Sequence, residues 1–501
     1  MIIVTCDASY QRKIQRAEGT TPAERYLKRI CEDSFLTLWS YPEIYRDQKA
    51  GAGGDGKEIC DLIVVFGEDI IIFSDKRCAF PNTGNPELDW NRWFKRAVVE
   101  SCKQAWGAER WIRTNPSRVF LDRACTQKFP FDLPDQSTTR FHLVIVAHDL
   151  AKRCSDAFGG SGTLMIRTDL KGIAAHTLPF TIGDLDPQRS FVHVLDDASL
   201  DIILRTLDTI SDFTAYLQKK AQLLRSATTI FAAGEEELLA IYLKKLNEKG
   251  DHDFVFPEDA RSANFIGLGE GHWEDFQQSP ERRTQLQANR ISYVWDALIE
   301  RFSYYALRGE QFYSDPQGVA STEIILRFLA REPRTRRRML GRKLMEMLEK
   351  TPTHIRMLSV VLPSNPGDPH YVFLLFPVFT NHSHEDNRAV RRSFLEACCS
   401  VAKLKFPDAQ DIVGIATESG LSNTERSEDA IYLDARRWTV ELDDEARRIQ
   451  RELGIFVEAR ETLSVEHEYP VPDRTMEIPD NLRNKLCPCG SNKKFKKCHG
   501  R

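Results

Sequence analysis

The sequence predicts a multi-domain α/β protein, and three observations support that prediction. The chain has 501 residues, enough for about two to four domains of ordinary size. Over residues 20–150, helical and strand-forming patterns follow one another in the order α-β-β-β-α-β. At the end of the chain, cysteines and a histidine cluster in a segment too short for a hydrophobic core. We therefore expect a mixed-sheet N-terminal domain, a helical middle region, a second α+β domain and a small C-terminal metal module.

Composition limits the classes of protein that remain. A hydrophobic fraction of 42% with 28% charged residues is typical of a soluble globular protein. The formal net charge of −4 gives no whole-chain attraction to nucleic acid, so any basic surface must be local. No apolar run approaches the roughly 20 residues that span a bilayer, and the opening MIIVTCDASYQRK is too short in apolar residues for a secretory signal. We expect a cytoplasmic protein without a membrane partner, in which most cysteines are buried thiols; the oligomeric state stays open.

The N-terminal elements have recognisable start and turn signals. Thr21 and Glu24 fit a capping box, and Pro22 suits the first position of a helix. Gly67-Glu68-Asp69 separates two β-branched runs and predicts a hairpin turn. The predicted elements are a helix over 21–33, strands over 35–45, 61–66 and 70–76, a helix over 91–113 and a strand over 141–147.

The stretch GAGGDGKEICDLIVVFGEDIIIFSDK, residues 51–76, begins with the spacing of a phosphate-binding loop. Such a loop needs a helix after it and a Ser or Thr after its lysine. Here Lys57 is followed by Glu58 and then by a β-branched strand. We therefore exclude an NTPase and interpret the glycines as a connection between two strands.

The ends of the predicted hairpin bring polar residues together. Asp61 opens one strand and Ser74-Asp75-Lys76 closes the next, so they lie within about 5 Å across the strands. With the surrounding element order, this arrangement resembles the restriction-endonuclease-like PD-(D/E)xK nuclease superfamily over residues 20–150. The resemblance implies an endonuclease-like fold and Mg²⁺-dependent hydrolysis of phosphodiester bonds in DNA or RNA. It implies catalytic roles for Asp61, Asp75, Lys76 and Glu24, with Asp61 and Asp75 as magnesium ligands.

The sequence departs from that family at one position. The second carboxylate normally lies two residues before the lysine, where this chain has Ser74. If Asp61 pairs with Ser74, those two residues and Lys76 share a face; if it pairs with Asp75, the two acids share a face and Lys76 points away. Glu24 is explained equally well by the capping box. The alternative is therefore a degenerate nuclease fold that acts as a non-catalytic scaffold.

The most specific pattern is at the C-terminus, where Cys487 and Cys489 are followed by Cys498 and His499. Four such ligands suit tetrahedral zinc, and four protein ligands make the zinc structural. Residues 484–501 resemble the SEC-C motif, which ends the bacterial preprotein translocase ATPase and is appended to many unrelated proteins. The resemblance implies docking of a protein partner. The surrounding lysines and arginines could instead contact phosphates or keep the module soluble.

The rest of the chain offers no catalytic constellation. The basic run 331–338 could meet a nucleic-acid backbone or form a solvated helix start after Pro333. The polar turn 382–386 could hold a metal, although an exposed turn before a helix is expected. A nuclease fused to a docking module would suit nucleic-acid defence or repair. The predicted divisions are an endonuclease-like domain over 1–226, a helical region over 227–350, an α+β domain over 351–460, a linker over 461–483 and the zinc module over 484–501.

Overall fold

The computed structural model describes residues 14–48, 55–257, 265–311, 318–421, 426–458, 461–462, 465–470, 494 and 497. Two compact units can be distinguished, Ile14–Arg283 and a second that contains Thr284 and the described residues after it. The predicted mixed α/β, multi-domain class is confirmed. Among the described residues, no helix combines the length and apolar character that a membrane span requires.

The first unit opens with the predicted order of elements. These are α1 (Pro22–Phe35), β1 (Ser40–Arg46), β2 (Lys57–Phe66), β3 (Asp69–Lys76), α2 (Pro86–Phe94), α3 (Glu100–Thr114) and β4 (Arg140–Ala147), with a π-helical turn (Lys95–Val99) between α2 and α3. The capping box of α1 is present, because Thr21 Oγ1 accepts from Glu24 N while Glu24 caps the backbone of Thr21. The order α-β-β-β-α-β is therefore confirmed.

The remaining elements of the first unit include short strands that the sequence analysis missed. They are α4 (Ala151–Phe158), β5 (Met165–Lys171), β6 (Thr181–Asp184), β7 (Val192–Asp196), α5 (Asp197–Thr206), α6 (Ile210–Leu224), β8 (Thr229–Ala232), α7 (Glu235–Lys244), β9 (Phe265–Leu268) and α8 (His272–Gln278). The segment 197–224 forms two helices, because Thr209 starts the second by accepting a hydrogen bond from Asp212 N at 3.1 Å.

The main sheet has the strand order β1-β2-β3-β4-β7. The first three strands are antiparallel, and β3, β4 and β7 run parallel. One face packs against α1 and α6, where the rings of Phe35, Phe73 and Phe213 stack with centroids 5.0–6.5 Å apart. The other face packs against α2 and α3 through residues such as Ile72 and Ile145. A second sheet has the order β6-β5-β8-β9.

The hairpin turn between β2 and β3 is one residue shorter than expected. Phe66 pairs with Asp69, so the turn consists of Gly67 and Glu68 alone. Gly67 has φ +57°, a conformation that favours glycine. Asp69 belongs to β3, where Arg140 donates to its carboxylate at 2.8 and 2.9 Å.

The second unit combines helices with a four-stranded sheet. Its elements are α9 (Pro280–Asn289), which begins just before the boundary, α10 (Tyr293–Arg308), α11 (Val319–Ala330), α12 (Arg334–Lys350), β10 (Met357–Val361), β11 (His370–Phe376), α13 (His384–Lys405), β12 (Asp411–Glu418), β13 (Glu428–Asp434) and α14 (Val440–Leu453). The strand order is β10-β11-β12-β13, with β11 and β12 parallel and joined through α13. Cys398 and Cys399 on α13 are buried in this core, as predicted, and turn 382–386 is exposed.

The basic run at the start of α12 is not a surface, and both interpretations of it were wrong for three of its arginines. Arg334, Arg337 and Arg338 are buried. Asp296 binds Arg334 at 2.6 Å and Arg337 at 2.7 Å, and Glu466 binds Arg338 at 2.5 Å. These guanidinium groups are therefore part of the interior and do not form a nucleic-acid surface.

The boundary between the units differs from the predicted divisions at 226/227 and 350/351. Strands β8 and β9 follow residue 226, but β8 pairs with β5 and β9 pairs with β8, so both belong to the first unit. Helices α10, α11 and α12 precede residue 350 but contact each other and the sheet that follows. The pairing partners of these elements, rather than their position along the chain, decide where they belong.

Candidate active site

The register of the β2–β3 hairpin decides which residues share a face. Leu62 pairs with Phe73, so the next step along the ladder places Asp61 opposite Ser74. Directly opposite residues point to the same side of a sheet, and Lys76 is on that side because it lies two residues beyond Ser74. Asp75 lies on the opposite side. The structure thus brings Asp61, Ser74 and Lys76 together at the open end of the hairpin.

Asp61 receives hydrogen bonds but has no cation beside it among the described residues. Its Oδ2 accepts from the backbone N–H of Asp75 at 2.7 Å, and Ser74 contributes a side-chain hydrogen bond. Burial raises the pKa of Asp61 to about 6; the Asp75 N–H opposes that rise, while the charges of Asp75 and Glu24 add to it. This carboxylate is short of positive charge.

A bulge in β2 lies directly before Asp61. Ile44 pairs with Cys60, whereas Tyr45 pairs with Glu58, so β2 has one extra residue at this point. An extra residue shifts the alternation of side chains by one. It therefore turns Glu58 toward the side of the sheet that carries Asp61.

Glu58 is the acid that the sequence analysis missed. Partial burial, together with repulsion by Asp61, Glu24 and Glu43, raises its pKa to about 7. From the sequence, we used Glu58 only as evidence against a phosphate-binding loop. The one available signal was an acid three residues before Asp61, which a regular strand would have placed on the other face.

Glu24 has a structural role in the described residues. Its Oε2 accepts from the backbone N–H groups of Thr20 at 2.7 Å and Thr21 at 2.9 Å, which caps α1. Its charge nevertheless raises the pKa values of both Asp61 and Glu58. Glu24 therefore contributes to the acidity of the site whether or not it binds a metal.

Lys76 ends β3 and is half-buried. Its ammonium group makes no ion pair within the part of the chain that the structure describes. In the register above, it is a diagonal neighbour of Asp61, a separation of about 7–8 Å between Cα atoms, which a long side chain can span.

Asp75 faces away from Asp61 and contacts a residue that sequence reasoning did not identify. Its Oδ1 lies 2.6 Å from His148 Nε2, and its side chain is 3% exposed. Its Oδ2 has no hydrogen-bond partner among the described residues. Burial lowers the pKa of His148, but the hydrogen bond and charge of Asp75, with the charge of Asp197, raise it overall. His148 follows β4, and only the pairing of β3 with β4 brings it here.

One group of three carboxylates in the described residues has ligand atoms within 4.8 Å of one another, and it is not the hairpin site. It comprises Glu236, Glu237 and Glu270. Thr163 donates to Glu236 at 2.6 Å, and the backbone of Gly271 donates to Glu237 at 2.9 Å. These hydrogen bonds explain the burial of Glu236 and Glu237, because both carboxylates hold the start of α7 in place.

The predicted zinc ligands Cys487, Cys489, Cys498 and His499 lie outside the described residues. Of the surrounding basic residues, Lys494 and Lys497 are described and are exposed. Comparison with protein families supports the C-terminal assignment directly. Residues 483–501 match the model of the SEC-C motif, and the chain therefore carries this motif at its C-terminus.

Proposed function

We propose that the protein is a metal-dependent nuclease that hydrolyses phosphodiester bonds of DNA or RNA and docks a partner through a zinc-binding C-terminal module. The observation that carries the first part is the convergence of Asp61, Glu58 and Lys76 at the open end of the hairpin. The α-β-β-β-α-β order around them supports the resemblance to the PD-(D/E)xK superfamily. Nucleic-acid defence or repair is the role that this combination suits.

The residues at this site fit a hard divalent cation. Carboxylate oxygens are the ligands that Mg²⁺ prefers. Asp61 and Glu58 would hold it. Burial raises the pKa values of both, and the charges of neighbouring acids add to that rise, so a bound cation would stabilise both carboxylates in their ionised form. When bound, Mg²⁺ would lower the pKa of a coordinated water molecule and offset negative charge on the phosphate. Asp75 keeps one uncommitted oxygen but lies on the other face of the strand.

The other residues of the site orient the Asp61 carboxylate and stabilise negative charge on a bound phosphate. The N–H of Asp75 and the hydroxyl of Ser74 hold the Asp61 carboxylate in one orientation. The Lys76 ammonium group, without a carboxylate partner among the described residues, is available to stabilise negative charge that develops on a phosphate. Positive charge from Lys76 and negative charge from the acids therefore meet at one end of the sheet.

For the C-terminal module, the donor set carries the proposal. Three thiolates and one imidazole suit tetrahedral zinc, and four protein ligands leave no position for a catalytic water. Metal binding would supply most of the folding free energy of so short a segment. Its lysines and arginines favour an acidic partner surface.

A second candidate function is a non-catalytic scaffold with a degenerate nuclease fold, which acts through the zinc module. Two observations favour it. Ser74 occupies the position of the family's second acid, and the Asp75 carboxylate is engaged by His148 on the other face. A site with few carboxylates is a weak magnesium site.

Cleavage assays distinguish the two functions. The protein is incubated with plasmid DNA, single-stranded DNA and RNA, with Mg²⁺, Mn²⁺ or EDTA. A nuclease cuts only with metal, and Asp61→Ala and Lys76→Ala abolish cutting. Glu68→Ala is the matched control, because Glu68 lies at the closed end of the same hairpin and is half exposed beside Arg140. Folded protein that cuts no substrate under any condition supports the scaffold.

A further inference from the structure

The second unit contains a cavity that the proposed nuclease does not use. Its volume is about 440 Å³, and it is bounded by α10, α11, the first turns of α13 and the start of β13. Binding sites for small molecules have volumes of about 300–1,000 Å³. The cavity is therefore large enough for a small organic ligand.

One wall of the cavity is apolar. Phe302 and the buried side chains of Ile325, Leu326 and Ile431 line it. Gln311 and Thr322, which hydrogen bond to each other at 3.0 Å, stand beside this wall. An aromatic and aliphatic wall with neighbouring amide and hydroxyl groups suits a flat polar ring.

Four arginines also line the cavity. Three of them have carboxylate partners: Arg301 binds Glu428 at 3.0 Å, Arg388 binds Asp429 at 2.6 Å and Arg392 binds Glu396 at 2.9 Å. A further cation behind them, Arg391, also binds Asp429 at 2.6 Å. The acids near the cavity are thus already engaged by arginines.

Arg426 is the exception, because its hydrogen bonds go to neutral oxygens. Its guanidinium group donates to the carbonyl oxygens of Gly420 and Glu418, and it is 8% exposed. Burial lowers the pKa of Arg426 although the nearby charges of Glu418 and Glu428 oppose that effect, so an anion in the cavity would stabilise its charged form. Burial also raises the pKa of Glu428 to about 7, so part of the nearby negative charge is absent at neutral pH.

We propose that this cavity binds a small organic anion composed of a flat ring and a phosphate group, the class to which mononucleotides belong. The phosphate meets Arg426 and the neighbouring guanidinium groups, whose planar donors match phosphate oxygens. The ring lies against Phe302 and the aliphatic wall. The site is separate from the hairpin and gives the protein a ligand besides a nucleic acid.

Calorimetry and thermal denaturation of the full chain test this proposal. The probes are AMP, ATP, adenosine and inorganic phosphate, all with EDTA so that no divalent ion mediates binding. We expect AMP or ATP to bind at least about tenfold more tightly than adenosine or phosphate, a difference of about 1.4 kcal/mol. Absence of binding by all four probes at millimolar concentration would overturn the proposal. So would adenosine or phosphate alone binding as tightly as the nucleotides.

Two variants assign the binding to this cavity. Arg426→Met removes the buried charge, and Arg392→Glu reverses a charge at the wall where the side chain is 20% exposed. Each is expected to weaken nucleotide binding at least tenfold. Arg447→Glu is the matched control, because Arg447 also pairs with an acid four residues away on a helix of this unit, but outside the cavity. If Arg426→Met does not fold, Arg392→Glu decides, and unchanged binding in it refutes the assignment.

Discussion

Asp61→Asn separates a functional carboxylate from a structural one. In the wild type, Asp61 Oδ2 accepts a hydrogen bond from the Asp75 N–H at 2.7 Å. Asparagine has a side-chain oxygen that can accept the same bond, so the substitution removes the negative charge and keeps the acceptor. In the wild type, burial raises the Asp61 pKa from 3.8 to about 6. Each pKa unit corresponds to about 1.4 kcal/mol, so ionised Asp61 lowers the free energy of unfolding by up to about 3 kcal/mol. Solvent screening of this half-buried group reduces that figure to about 1–2 kcal/mol.

The sign of the effect depends on pH. Below about pH 4, Asp61 is protonated in the folded and unfolded states, and the wild type and the variant have similar stability. As pH rises through the folded pKa of about 6, the wild type loses the stability that the neutral carboxyl provided. At pH 8 the variant is therefore expected to be more stable than the wild type, while the proposed nuclease activity is expected to be lost.

Thermal denaturation in EDTA at pH 4.5, 6 and 8 measures this difference. At about 2–4 °C per kcal/mol for a unit of this size, we expect Asp61→Asn to raise Tm by several degrees at pH 8 and by little at pH 4.5. Added Mg²⁺ is expected to raise the Tm of the wild type more than that of the variant. Glu68→Gln, on the exposed turn, is the control, and its Tm is not expected to rise above that of the wild type at pH 8. A variant that is less stable than the wild type at pH 8, or a difference independent of pH, would refute this account of Asp61.

Three further predictions concern other parts of the molecule. Asp296→Ala removes the carboxylate that two buried guanidinium groups share and should lower the free energy of unfolding by about 3–5 kcal/mol in urea denaturation; a change below 1 kcal/mol would contradict the ion network. His148→Gln should lower stability more at pH 6 than at pH 9, because a raised histidine pKa contributes stability that is present below pH 6.5 and lost at higher pH; equal effects at both pH values would contradict the pairing with Asp75. Cys487→Ser should reduce zinc content measured by elemental analysis from one per chain toward zero, with the urea transition of the first unit unchanged; retained zinc would contradict the ligand set.

The periodic elements were predictable because local patterns decide them. The capped start of α1, the strand β3 and the end of β2 lie close to their expected bounds, although β2 begins at Lys57 rather than Asp61. Contacts between distant residues were not predictable. Arg334 and Arg337 form a basic run in the sequence, and only the position of Asp296, some 40 residues earlier, makes them interior. The bulge that redirects Glu58 likewise depends on how β1 pairs with β2.

The least predictable feature of the site is the length of one turn. A three-residue turn over 67–69 would pair Phe66 with Ile70 and, by the same count, Asp61 with Asp75, which would place both acids on one face. The observed two-residue turn moves the register by one and gives Asp61 the partner Ser74.

Asp69, which pairs with Phe66 at the start of β3, is anchored by the neighbouring strand. Its carboxylate is bound by Arg140 at 2.8 Å and lies 2.8 Å from His142 Nε2, both on the neighbouring strand β4. We infer that this contact, from a strand more than 70 residues away in sequence, keeps Asp69 in β3 rather than in the turn and so favours the observed register at the far end of the hairpin from Asp61. Because a side chain alternates its face at every step, the chemistry of the site depends on this contact as much as on the residues that form the site.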